Sequence, residues 1–141
     1  MHELLISSLL SILLVTLCVI VHYETLVQLE RIGRWLRHHR WMMLVTVHGL
    51  LLAHVVEIWI FGAGYFIAEH VIGVGSVVPA NHDWFDYIYY SAMVYTTVGF
   101  GDLVPAGGLR MTTSAEALAG LSMITWSASF TFLQMQRMWR Q

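Results

Sequence analysis

The chain has 141 residues, 57% of them hydrophobic and only 11% charged, with a formal net charge of -2. Soluble domains carry about 25% charged residues, so this composition points to one domain whose solvent is the bilayer. It offers no broad basic face to nucleic acid, and its single cysteine, Cys18, excludes an intrachain disulfide; set in an apolar run, Cys18 reads as a packing or lipid-facing residue.

The first apolar stretch covers about residues 4–21, long enough to cross a hydrocarbon core of roughly 30 Å, and predicts a transmembrane helix. A cleaved signal peptide is the weaker reading, because the start lacks basic residues and no Ala-x-Ala site follows. A polar, Arg-rich segment occupies 30–40, and a second apolar run follows at 41–68, interrupted by His48, His54 and Glu57. Residues 69–83 mix Gly, Ser, Pro, Asn and His, which is loop chemistry. Asn81 or Asp83 is placed to cap a short helix at 84–95, with Asp86 adding negative charge to its first turn. A helix of that length reaches only about 18 Å, which suits a re-entrant segment rather than a crossing. A glycine-containing stretch at 96–102, a turn at Pro105, Gly107 and Gly108, and a third apolar run at 111–139 complete the chain.

The seven cations are all Arg, and six of them lie in the 30–40 segment (Arg31, Arg34, Arg37, Arg40) or the tail (Arg137, Arg140). Three crossings place both groups on one side, which the positive-inside rule makes cytoplasmic. The N-terminus and the 96–102 stretch then face outward in what is expected to be the plasma (inner) membrane. Glu3, Glu69, Asp83, Asp86 and Asp102 fall on that outer side, and Trp35, Trp41, Tyr65, Trp84 and Trp139 suit interfacial belts.

Residues Thr96 to Asp102 read Thr-Thr-Val-Gly-Phe-Gly-Asp, between a sub-spanning aromatic helix and a spanning one. Over about residues 41–139 the chain resembles the potassium channel superfamily, whose filters carry Thr-Val-Gly-Tyr-Gly after a pore helix. The resemblance implies a homotetramer, and with the first apolar stretch, which lies outside the resemblance, each subunit is expected to be an all-α membrane protein with three transmembrane helices. Its parts would be an N-terminal helix (1–29), a cytoplasmic linker (30–40) and a pore domain (41–141) with outer helix, pore helix, filter and inner helix. It implies K+ ligands at Thr97, Val98, Gly99 and Phe100, with Gly101 completing the filter and no organic cofactor. Thr96, Asp102 and Tyr90 would support the filter, Tyr90 standing where many members have Trp and reaching Asp102 through its hydroxyl. Phe100 replaces the usual Tyr and removes a hydroxyl that restrains the filter, while Met93 excludes a carboxylate partner for Asp102 from that position. By the same resemblance Gly120 falls one residue from the hinge glycine, and Ile124, Ala128 and Phe132 share a cavity-lining face. The plainer reading of Gly120, with Ala115, Ala117, Ala119 and Ser122, is close helix approach.

The Arg spacing in the linker imitates a voltage sensor, but the helix before it has no internal acid to act as countercharge. An amphipathic cuff on anionic lipid is the expectation instead. His54 and Glu57 share a helical face, and Glu116 lies at similar depth; they form either a pH-sensitive network behind the filter or a structural pair of Glu57 with His54 or a pore-helix Tyr. His70 and His82 offer a weak divalent site in the outer loop, and no compact His/Cys/Asp cluster is visible along the sequence. Passive K+ conduction is thus the expected function, with no enzyme motif present. A weakly selective cation pore and a non-conducting regulatory or sensing subunit are the alternatives.

Overall fold

The computed structural model describes residues 2–35, 39–79 and 83–139. Leu36, Arg37, Asn81, His82 and Arg140, to which the sequence assigned linker, capping, metal or tail roles, lie outside the described residues. The order is α1 (His2–Trp35), α2 (His39–Ile67), a π-helical turn (Ala68–Ile72), β1 (Gly75–Val78), α3 (Trp84–Tyr95), β2 (Val104–Gly107) and α4 (Leu109–Trp139).

Helices α1 and α2 form a long hairpin whose contact is built on glycine. A Cβ at Gly49 would lie 2.6 Å from Leu29 Cδ2, and one at Gly64 would lie 2.5 Å from Leu14 Cδ1, so two leucines of α1 seat in gaps that only glycine leaves open. The same packing continues past the apolar stretch, where Gly33 sits against Met42. Residues 30–35 therefore prolong α1 instead of forming a separate interfacial cuff. Arg31 and Arg34 ride its last turns and Arg40 the first turn of α2, because every-third spacing is simply compatible with continuing the helix.

Helix α1 also lies along α4, so it wraps both long helices of its own chain. Ser11 Oγ donates to Thr112 Oγ1 at 3.1 Å, and Arg137 reaches Glu30 at 3.3 Å between their far ends. The end of α1, the start of α2 and the end of α4 thus share one end of the molecule, with α3 and the short strands toward the other. Hydroxyls along these helices close onto the backbone one turn back, as from Thr16 to Ile12, Thr25 to Val21, Thr125 to Leu121 and Thr131 to Ser127. Few are left bare in an apolar surround.

Among the described residues two helices are long and apolar enough to cross a membrane, His2–Trp35 and Arg40–Ile72. Helix α4 has 31 residues, enough length, but its Ser, Thr and Gln side chains keep it outside that class. The fold is mostly helical, not wholly so. Segments of the outer loop and of the expected Pro105–Gly108 turn pair as an antiparallel two-stranded sheet, Gly75 opposite Gly107 and Val78 opposite Val104. Gly75 (φ 141°) and Gly107 (φ 64°) permit this approach, since a Cβ on Gly75 would stand 2.4 Å from the Ala106 carbonyl oxygen. The Glu69 carboxylate accepts the Val77 N–H at 2.9 Å and pins β1 to the π-helical turn that follows α2.

Candidate functional site

Helix α3 begins after Asp83, whose extended backbone (φ -81°, ψ 139°) and carbonyl, accepting the Asp86 N–H at 3.0 Å, start the helix without a side-chain cap. At the other end the chain turns back on the helix. The amides of Thr96, Thr97 and Gly99 donate to the carbonyls of Ala92, Val94 and Met93 at 3.1, 3.0 and 3.0 Å, and Thr96 Oγ1 donates to Ala92 O at 2.7 Å. The carbonyl end of α3, the negative pole of its dipole, thereby anchors segment 96–102.

Backbone hand alternates through that segment. Thr97 (φ 60°), Gly99 (φ 53°) and Gly101 (φ 79°) are left-handed, while Val98 and Phe100 between them are not. Alternation of this kind turns successive carbonyls toward one side of a strand. Thr97 is the single left-handed residue other than glycine among the described residues, a strain of about 1–3 kcal/mol that local anchoring must offset. Thr96 to Asp102 are all exposed in one chain, and a Cβ on Gly99 or Gly101 would meet nothing within 4 Å.

Behind the segment lies a cavity of about 130 Å³ bordered by Tyr89, Met93, Gly99, Asp102 and Thr113. Here the structure corrects one expectation. Tyr90 does not reach Asp102; its hydroxyl lies 2.7 Å from Thr113 Oγ1, and its neighbour Tyr89 donates to Asp102 Oδ2 at 2.8 Å. One residue along a helix is a rotation of about 100°, so the choice between adjacent tyrosines depends on helix phase, which the sequence does not fix. Hydrogen bonding to the Asp102 carboxylate holds the Tyr89 phenol protonated above its ordinary range.

Gly120 faces the end of α3: a Cβ there would lie 2.2 Å from the Tyr95 carbonyl oxygen, so the position serves the close approach of α4 to α3. Ile124, Ala128 and Phe132 are exposed on a single chain, and Ile124 and Ala128 border a largely apolar cleft of about 500 Å³ with Val47, His54 and Thr96. His70 stacks on Phe66 with ring centroids 4.4 Å apart and places Nδ1 3.2 Å from the Phe66 carbonyl oxygen.

The buried acids stand in two networks. Glu116 on α4 accepts from Tyr65 and from Ser91 Oγ at 2.5 Å, and Ser91 also reaches the Ile58 carbonyl at 2.8 Å, joining α2, α3 and α4. Glu57 on α2 accepts from Tyr95, lies 2.9 Å from His22 Nδ1 of α1 and 3.3 Å from His54 Nδ1, and has His54 Nδ1 2.9 Å from the Tyr95 hydroxyl. On the far side of both imidazoles stands Ser127 Oγ of α4, 3.3 Å from His22 Nε2 and 3.0 Å from His54 Nε2. The sequence reading paired His54 with Glu57 but missed His22 and Ser127, since it searched the first helix for acids. An imidazole within an apolar helix is itself a costly group and was the available signal. It also found no compact ligand cluster; folding assembles one, because donor atoms of His22, His54 and Glu57 lie within 4.8 Å of one another.

Residues 53–137 match the family model described as an ion channel, a pore-loop type. Over 89 residues the chain is 37% identical to the uncharacterized membrane protein YdjJ of Bacillus subtilis (strain 168), covering 57% of this chain and 26% of that protein. The chain therefore spans about a quarter of that relative's length. No solved structure matches it.

Proposed function

The chain belongs to the ion channel family, and from that premise we propose that it is one subunit of a homotetrameric, potassium-selective channel. The observation that carries this reading is the alternating backbone hand at Thr97, Gly99 and Gly101, in an exposed strand tethered to the carbonyl end of α3. Four such strands around an axis supply the oxygen cage that replaces the hydration shell of K+, from the carbonyls of Thr97, Val98, Gly99 and Phe100 and the Thr97 hydroxyl. A single strand supplies one wall of it, hence a symmetric assembly. Asp102 stands at the outer mouth, and the negative pole of each α3 favours a cation on the inner side.

In this assembly α4 is the inner, pore-lining helix and the third crossing. Its polar content fits a helix faced by protein and water more than by lipid, and Ile124, Ala128 and Phe132, left uncovered by their own chain, face the cavity or a neighbour. The shared end of α1, α2 and α4 agrees with a cytoplasmic position for the Arg residues, where Arg31, Arg34 and Arg40 meet anionic lipid.

Weak selectivity is a second reading, favoured by one feature: Phe100 is 73% exposed and has no hydroxyl with which to tie the strand to its surroundings. The test is purified protein in liposomes carrying a K+ gradient. Ba2+-sensitive K+ uptake is expected; well-folded assemblies that pass no cation contradict both readings and favour a regulatory subunit.

A further inference from the structure

We propose that His22, His54 and Glu57 form a binding site for a divalent transition ion, Zn2+ or one of its first-row neighbours, that clamps α1 to α2 beside the end of α3. The donor set of two imidazole nitrogens and one carboxylate is the kind such ions take, with a fourth position left for water or the Tyr95 hydroxyl. Glu57 Oε1 lies 2.9 Å from His22 Nδ1 and Glu57 Oε2 3.3 Å from His54 Nδ1, and one donor atom from each of the three residues lies within 4.8 Å of the others, a compass in which ligands about 2.0–2.2 Å from a common ion, roughly 3.3–3.6 Å apart, can be seated.

The position of Ser127 suits such an ion. In the absence of an ion, neutral imidazoles that donate from Nδ1 toward Glu57 and Tyr95 present two Nε2 lone pairs to Ser127, whose hydroxyl has one hydrogen to give. One lone pair is then unmatched, unless His54 takes its other tautomer, donating from Nε2 to Ser127 Oγ and accepting at Nδ1 from the Tyr95 hydroxyl. With an ion on both Nδ1 atoms each imidazole stays neutral with its ring proton at Nε2, and Ser127 Oγ accepts both N–H groups with its two lone pairs. That is the outer-shell arrangement metal-binding histidines require.

Charge points the same way. Glu57 and His22 are fully buried, and the ion-pair partners of Glu57 among the described residues are the two imidazoles, so its charge calls for a proton or a cation. An entry path exists, since the partly exposed His54 lines the wall of the 500 Å³ cleft that also borders Thr96. Because Tyr95 touches both His54 and Glu57 and is followed by Thr96, the ion would sit one residue from the conducting segment.

The test is binding, read without any flux measurement, on the full chain purified in detergent. Equilibrium dialysis against Zn2+ is expected to give one ion per chain, and Co2+ the visible absorption of a tetrahedral site. His22→Gln and Glu57→Gln each weaken Zn2+ binding by more than about 100-fold, Ser127→Ala by about 10- to 100-fold, and His48→Gln leaves it unchanged. Ser127→Ala keeps all three ligands, so it stays informative where a ligand variant fails to assemble. Absence of stoichiometric Zn2+ on the well-folded chain overturns the proposal, as does a Zn2+ affinity indifferent to His22→Gln, Glu57→Gln and Ser127→Ala.

Discussion

Thr97 adopts a conformation that costs it strain, and the residues around it explain how that is held: amides of 96, 97 and 99 close onto α3, and Tyr89 fastens Asp102 on the far side. Removing the Tyr89 hydroxyl frees the outer end of the segment, so Tyr89→Phe channels are expected to show current decay a few-fold faster than the parent. Tyr90→Phe should leave decay near the parental rate, because Tyr90 answers to Thr113 of α4. Equal decay in both variants, measured as macroscopic current under sustained K+ efflux, contradicts this division of roles. Gly120 is the second sensitive residue. Gly120→Ala forces a methyl against the Tyr95 carbonyl, backbone that has nowhere to yield, and should destabilise the purified protein by about 1–3 kcal/mol, read as a lower thermal midpoint.

At the scale of elements the distinctive feature is α1, which fills the groove between α2 and α4 instead of lying on α2 alone. Ser11 and Thr112 are close enough that a Ser11→Cys/Thr112→Cys chain, with Cys18→Ala to remove the native thiol, should oxidise to an intrachain disulfide, lowering its mass by two hydrogens. Failure to close that bond under mild oxidant places α1 elsewhere. Which elements could be foreseen follows from the reach of their determinants. The helix at 84–95 and the motif after it are written in consecutive residues, aromatic run then glycines, and are legible locally. The strand pair joins 75–78 to 104–107 across the intervening pore loop, and nothing local in Gly-Ser-Val-Val marks its partner. The extension of α1 through Arg31 and Arg34 depends on Gly33 and Gly49 of a packed hairpin, where composition alone suggested a break. Likewise His22 acquires its role from α2 and α4, and the choice of Tyr89 over Tyr90 from helix phase.

For the whole molecule, one chain presents an incomplete object: an exposed segment at 96–102, uncovered apolar residues on α4, and two buried acid networks that stiffen the scaffold behind them. The proposed symmetric assembly would account for the first two, and in that proposal conduction of K+ depends on how firmly Tyr89, Asp102 and the α3 end hold the segment without help from a hydroxyl at position 100. The most direct measurement is the reversal potential of reconstituted channels with K+ on one side and Na+ on the other. A shift close to the K+ equilibrium potential, with Ba2+ block, is the predicted result; a reversal potential near zero with substantial current contradicts selectivity at Thr97 to Gly101.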